Sequence, residues 1–212
     1  MGVQCLSPDE YLTARSPGTA EIKVKGSRFI ASVAPVGSEE KARAVLAQIS
    51  QRHFDATHNC YAYRLGHGDG AVFRFSDAGE PSGTAGRPIL KAIEGRQLTN
   101  TIVVVSRYFG GTKLGTGGLA LAYKESALAV LEEVGSKRTF RTAELTMSFP
   151  YHLTKEVQHL LKKHDARIVQ EKYGQKTSLT ISVRKSRSER FREELDILGG
   201  GQVKVGNVTC GA

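Results

Sequence analysis

The 212-residue sequence predicts an α+β protein in two domains, residues 1–136 and 141–212. Three observations lead there. Apolar residues recur at helical spacing in some segments and alternate in others, and the two patterns interleave along the chain. A long helical pattern stops at Gly135 and gives way to Ser136–Arg141, a polar stretch that reads as a linker. Beyond it the segments follow in the order strand, helix, strand, strand, helix, strand.

In the first domain, residues 19–25 and 28–36 read as a strand pair turning at Gly26 and Ser27. Ser38 is placed to cap a helix whose first turn carries Glu39 and Glu40 and whose apolar face is Ala42, Val45, Leu46 and Ile49. Residues 59–65 and 71–75 form a hairpin around the turn Gly66–Gly70, and Pro88 suits the first turn of a short helix. Thr101–Ser106 (TIVVVS) is a buried strand, being short, β-branched and continuous. A helix over 116–134 presents Leu119, Tyr123, Ala127, Val130 and Val134 on one face.

The second domain reads as strand 143–149, helix 153–164, strands 167–173 and 177–184, helix 188–198 and strand 202–208. Ser186 and Glu189 form a capping box for its second helix. Leu179, Ile181 and Val183 alternate with polar residues, so one sheet face meets two helices and the other is open. This βαββαβ order is the ferredoxin-like plan.

Composition excludes several classes. The chain is 40% hydrophobic and 24% charged, which is globular rather than disordered. No apolar run approaches the roughly 20 residues of a membrane helix, so no membrane partner is expected. The start, MGVQCLSPDEYL, has no basic-then-apolar export signal, and Leu6 stands where Gly2 myristoylation would need Ser or Thr. Cys5, Cys60 and Cys210 are odd in number and form no C-x-x-C pair, which points to a cytoplasmic chain without a zinc ribbon or disulfide frame. The net charge of +9 suits a polyanionic partner. Residues 141–212 carry 13 basic and 8 acidic side chains against 17 and 13 in residues 1–140, so the excess is denser in the second domain.

Two glycine-rich segments, Ser76–Gly86 and Arg107–Gly118, hold eight of the 23 glycines in 23 residues. The second lies between a buried strand and a helix start. There free N–H groups at Gly115, Gly117 and Gly118, beside Arg107 and Lys113, suit a phosphate or carboxylate. Tyr108, Gly110 and Gly111 complete its candidate surface. A Walker loop is absent, because Thr116 rather than Lys follows Gly115; the G-x-G-x-x-A match of Gly115, Gly117 and Ala120 is separated from its strand by a long loop. No cofactor is expected. Turns holding strand to helix remain an equal reading.

In the first segment, Asp77 and Glu80 suit acid–base work or a metal, or they fix the loop by side-chain-to-backbone bonds; Ser76, Ser82 and Thr84 are further polar candidates. His58 is a conceivable base, though a structural histidine is the simpler reading, and without a second pair of ligands no metal site is expected. No catalytic residue follows from these patterns. Arg184, Lys185, Arg187, Arg190 and Arg192 form the best basic cluster, while His152, His159 and His164 are expected on a solvated face.

The segments Lys25–Ile30 (KGSRFI), Ala56–Arg64 (ATHNCYAYR), Ser76–Leu90 (SDAGEPSGTAGRPIL) and Val103–Leu119 (VVVSRYFGGTKLGTGGL), in this order, resemble the YigZ/Impact family. The resemblance implies that the first domain is of Impact type, with a fold like ribosomal protein S5 domain 2, shared with domain IV of elongation factor G. It also implies a ferredoxin-like extension at the C-terminus, as in bacterial members. Eukaryotic Impact proteins restrain the amino-acid-starvation kinase by competing for its ribosome-associated activator, and they carry an extra N-terminal interaction domain; no counterpart of that domain is read here. For bacterial members the resemblance implies RNA or ribosome binding linked to regulation of translation. The expectation is therefore a binding protein that meets RNA or the ribosome through the two glycine-rich loops. An enzyme or sensor for a small phosphorylated ligand at Gly115–Gly118 and a protein-interaction module are the alternatives.

Overall fold

A computed structural model describes residues 9–67 and 70–207. Gly2, Leu6, Cys5, Cys210, Gly68 and Asp69 of the predicted hairpin turn, and Val208 of the last predicted strand lie outside them. Residues 12–138 form one compact unit, and residues 139–207 with 9–11 form another. Strands β1 (Glu10–Ala14) and β7 (Ser136–Phe140) pair as a small two-stranded sheet. Neither was expected. Both are short and lack a clean apolar alternation, and the polar sequence of 136–141 reads as linker; pairing of backbones, which leaves little trace in the side chains, makes Ser136–Phe140 a strand.

The first unit is built on β2 (Gly18–Val24), β3 (Ser27–Pro35), β4 (His58–Leu65), β5 (Val72–Ser76) and β6 (Thr101–Tyr108), with helices α1 (Glu39–Arg52), α2 (Gly86–Gly95) and α3 (Gly115–Val134). The strands lie antiparallel in the order β2-β3-β6-β4-β5. Central β6 is buried on both faces from Thr101 to Arg107, as its unbroken β-branched run requires. On one face Phe29, Val33, Val103 and Val105 pack against Ile89 and Ile93 of α2 and Leu119, Tyr123, Ala127 and Val130 of α3. On the other, Ala42 and Ile49 of α1 meet Tyr63, Ile102 and Val104.

The sequence signals at the ends act largely as expected. Ser38 Oγ accepts the Lys41 N–H at 3.3 Å at the start of α1, and Gly135, at φ 68°, ends α3. The β2–β3 turn falls one residue earlier than predicted: Lys25 and Gly26 take φ 46° and 83°, the pair of positive values of a two-residue I′ turn, and Ser27 already belongs to β3.

The second unit contains β8 (Thr142–Phe149), α4 (Thr154–Lys163), β9 (Arg167–Tyr173), β10 (Thr177–Arg184), α5 (Lys185–Gly199) and β11 (Lys204–Asn207). Its strands are antiparallel in the order β11-β8-β10-β9. Leu145, Met147, Phe149, Leu179, Ile181 and Val183 face Val157, Leu160 and Leu161 of α4 and Phe191 and Leu195 of α5. The opposite sheet face is open. His164 departs from expectation: it is buried, with Nε2 3.1 Å from Glu194 Oε2 and its ring edge-on to Phe191.

The predicted capping box also fails. Helix α5 begins directly after β10, so Arg184 holds the cap position and Ser186 lies inside the first turn. The open N–H of Ser186 is met instead by Asp9 Oδ2 at 2.6 Å, a carboxylate 177 residues away in sequence. Asp9 is buried and also accepts the Arg141 N–H through its own carbonyl. Asp9→Ala is expected to lower unfolding stability by about 1–2 kcal/mol, the usual worth of a helix cap. Urea unfolding followed by circular dichroism checks this; an unchanged midpoint contradicts the assignment.

Candidate functional site

Four connections converge at one end of the first unit's sheet: the Lys25–Gly26 turn, residues 53–57 before β4, residues 77–85 after β5, and residues 109–114 after β6. The register explains the convergence. Phe29 of β3 and His58 of β4 both stand opposite Arg107 of β6, and Arg28 stands opposite Tyr108. Residues directly opposite share a face, so Phe29, Arg107 and His58 turn toward α2 and α3, and Tyr108 toward α1.

On the α2–α3 face, Arg107 and Glu80 form an ion pair at 2.6 Å with side chains 6% and 3% exposed. Glu80 Oε1 also accepts the Tyr123 hydroxyl of α3 at 2.8 Å. The Arg107 guanidinium lies 5.5 Å from the ring centres of both Phe29 and Phe109, so aromatic faces complete its surroundings. Cys60 Sγ sits 2.9 Å from the Asp77 carbonyl and 3.4 Å from the Tyr123 hydroxyl. Burial pushes its thiol up to about 12, which leaves it protonated and unreactive near neutral pH.

The Asp77 carboxylate accepts the backbone N–H groups of Gly83, Ala85 and Gly86 at 2.8–2.9 Å and so fills the start of α2. Partial burial pushes its pKa upward, but the three N–H bonds outweigh this and hold it below the usual carboxylate range. Ser76 Oγ accepts the Ala78 N–H, and Thr84 Oγ1 donates to the Pro81 carbonyl. The Ala78 carbonyl accepts from His58 Nδ1 at 2.8 Å, so that nitrogen carries a proton. Ser82 is exposed at the tip of the loop. Asp77, Glu80, Ser76 and Thr84 are thus gathered at this end, each bonded to the loop or to the strand and helices beneath it.

On the α1 face, the Tyr108 hydroxyl donates to Asp55 Oδ1 at 3.0 Å and accepts from His53 Nδ1 at 3.0 Å. Burial and the Asp55 bond raise the Tyr108 pKa, while burial and the nearby Arg52 lower that of His53. Between those two partners stands Phe54, 84% exposed. Phe109 is 48% exposed, and its N–H donates to Thr57 Oγ1, which ties the two loops together. Lys25, Arg52 and Lys113 are exposed around this end, with no ion-pair partner among the described residues. Sequence reasoning missed Phe54, His53 and Asp55. Their segment has no glycine signature, and only the register brings it beside residues 108–111.

The glycines divide by cause. A Cβ on Gly110 would stand 1.9 Å from the Gly26 carbonyl carbon, so β6 can leave the sheet only past two glycines in backbone contact. Gly111 and Gly115 have φ of 85° and 72°, and a Cβ on Gly118 would press on Leu114. At Gly117 neither φ nor a neighbour requires glycine: a Cβ there meets open space. Neither α2 nor α3 is capped by its own N-cap side chain, but the start of α2 is met by Asp77 from outside the helix. Among the described residues no group of three or more His, Cys, Asp or Glu side chains could hold a metal.

The family model of the Impact N-terminal domain matches residues 25–131, which contain all four loops. The IMPACT family member YvyE of Bacillus subtilis is 33% identical over 201 residues, covering 94% of this chain and 92% of that protein. The chain belongs to the IMPACT family. A second model, a domain of unknown function (DUF1949), matches residues 147–202. The IMPACT family member YigZ of Escherichia coli is 31% identical over 198 residues, covering 93% of this chain and 97% of its own. A crystal structure described only as that of a hypothetical protein superposes with a TM-score of 0.72 at 31% identity, over 94% of this IMPACT-family chain and 98% of that one. No helix among the described residues is long and apolar enough to cross a membrane.

Two outcomes test the internal bonding. Glu80→Ala leaves a buried guanidinium unpaired and is expected to cost about 3–5 kcal/mol in chemical unfolding; a loss under about 1 kcal/mol contradicts the buried pair. Asp77, with its folded pKa depressed, contributes stability that is complete above its unfolded value of about 3.9 and is lost as pH falls through the lower folded value. Asp77→Asn is therefore expected to be less stable than the parent at pH 7, with the gap narrowing as pH falls below the unfolded value of about 3.9 and through the lower folded value. A gap that stays constant in urea unfolding from pH 7 to pH 2.5 contradicts it.

Proposed function

We propose that this protein binds single-stranded RNA, ribosomal RNA included, through the loop end of its first unit, and that it acts in the regulation of translation in the cytoplasm. One observation carries the reading: Phe54 and Phe109 are exposed beside the unpaired cations Lys25, Arg52 and Lys113. Exposed aromatic rings stack on bases of any sequence, and cations beside them follow the phosphates. Two of the carboxylates at this end are turned inward, Glu80 into its buried ion pair and Asp77 onto three N–H groups, so the unpaired cations outnumber the exposed Asp55, which accepts from Tyr108. In this reading Arg107 supports Phe109 from beneath rather than meeting phosphate itself. Tyr108, Gly110, Gly111 and Lys113 are the contact segment, with Ser82 and His58 at its margin.

The same reading takes residues 1–136 as an Impact-type domain with a fold like ribosomal protein S5 domain 2, and residues 141–212 as a ferredoxin-like domain. The order β11-β8-β10-β9, with both helices on one face, supports the second. The regulatory role is what the family resemblance implies.

A second reading has its own observation. The uncapped start of α3, with Gly117 free of any packing reason to be glycine, suits a small phosphorylated ligand at Gly115, Gly117 and Gly118. A thermal-shift screen of nucleotides separates the two, since only this reading expects one of them to stabilise the fold at low concentration.

Fluorescence anisotropy with a labelled 20-nucleotide RNA tests the main proposal. Binding is expected to weaken steeply with salt. Phe54→Ala/Phe109→Ala is expected to weaken it by about 1–3 kcal/mol for each stacked base lost, with the salt slope unchanged. Binding that ignores salt, or a double variant that binds like the parent, overturns it.

A further inference from the structure

We infer that the open face of the second unit's sheet binds the sugar–phosphate backbone of a single-stranded polyribonucleotide. This rests on the RNA-binding reading above and gives the second unit a contact surface of its own, built from different chemistry. Strand register places Lys204 of β11, Ser148 of β8, Ser178 of β10 and Lys172 of β9 in one row straight across the sheet. The adjacent row on the same face is Gly206, Thr146, Thr180 and Gln170. Four hydroxyls therefore occupy the middle of the face, with a lysine at each edge of the first row.

The short hydroxyl side chains of the two central strands, flanked by Lys204 on one side and by Lys172 and Gln170 on the other, make a groove of about 350 Å³ along β8 and β10. Its floor is partly tied together, as Ser178 Oγ lies 3.4 Å from Ser148 Oγ and Thr146 Oγ1 donates to the Gly206 carbonyl at 3.3 Å. Three inter-strand spacings separate the lysine Cα atoms, roughly 14 Å. Neither lysine has an ion-pair partner among the described residues.

The lining decides the occupant. No carboxylate lines the groove, so its charge is positive and suits an anion. No aromatic ring lines it either, which removes base stacking and the anchors of a typical protein interface. Hydroxyls that donate and accept, flanked by ammonium groups, match phosphate oxygens and the ribose 2′-hydroxyl. A chain laid along the groove would have its phosphates within reach of Lys172 and Lys204 and its sugars over the hydroxyls, whatever its sequence.

The test uses the full chain and a labelled (U)20 RNA across a salt series. Lys172→Ala/Lys204→Ala is expected to weaken binding about tenfold near 0.1 M salt and to make the slope of log affinity against log salt shallower by about 1.4, two single-strand phosphate contacts. Thr146→Val/Thr180→Val, which keeps shape and charge, is expected to weaken binding with the slope unchanged. As a control, Lys91→Ala/Lys124→Ala removes the same charge from exposed positions of the first unit. Equal weakening in that control assigns the effect to overall charge and overturns the inference. If the 172/204 variant binds like the parent while Phe54→Ala/Phe109→Ala is weakened, this groove is wrong and the loop reading stands; the reverse pattern sinks the loop reading and leaves the groove. A parent chain that binds no RNA overturns both.

Discussion

The buried pair of Arg107 and Glu80 organises the end of the first unit on which the proposed function depends. Arg107 leaves β6 in the centre of the sheet, Glu80 belongs to the loop between β5 and α2, and Tyr123 joins them from α3. Two charges taken out of water are costly unless they meet closely and their remaining capacity is used. Here they meet at 2.6 Å, and Tyr123 and two aromatic faces take up part of the remainder. Such a pair adds little net stability over an apolar core. It does fix one arrangement, because any other leaves a charge buried alone.

That arrangement sets the polarity of the surface. Asp77 and Glu80 spend their charge inward, on backbone N–H groups and on Arg107, while Lys25, Arg52 and Lys113 remain outside with Phe54 and Phe109. A loop with two carboxylates in its sequence thus presents little negative charge to a partner. The pair suggests acid–base chemistry in one dimension. In three dimensions Glu80 is buried and Asp77 caps a helix, and the proposed binding role follows from what these groups leave exposed.

Much of the fold was legible in the sequence. The β-branched run of β6, the helical spacing in α1 and α3 and the alternation in β10 each have one simple structural solution, and each is observed. What escaped was whatever long-range pairing creates. Strands β1 and β7 arise from backbone pairing, and the cap of α5 comes from Asp9, which no local pattern connects to Ser186. Glycine content marked two of the four connections at the convergent end. It could not tell Gly110, required by contact with Gly26, from Gly117, which nothing in the packing requires. Phe54 stayed invisible for the opposite reason, since a lone aromatic near a helix end looks like any core residue until its 84% exposure is known.

The central claim is that RNA lies against Phe54 and Phe109, and photo-crosslinking of the full chain to a 4-thiouridine-substituted RNA, with the modified peptides sequenced by mass spectrometry, tests it most directly. Crosslinked nucleotides are expected within residues 52–58 and 107–113, competed away by unlabelled RNA. Crosslinks that spare both segments, while RNA is demonstrably bound, would contradict it.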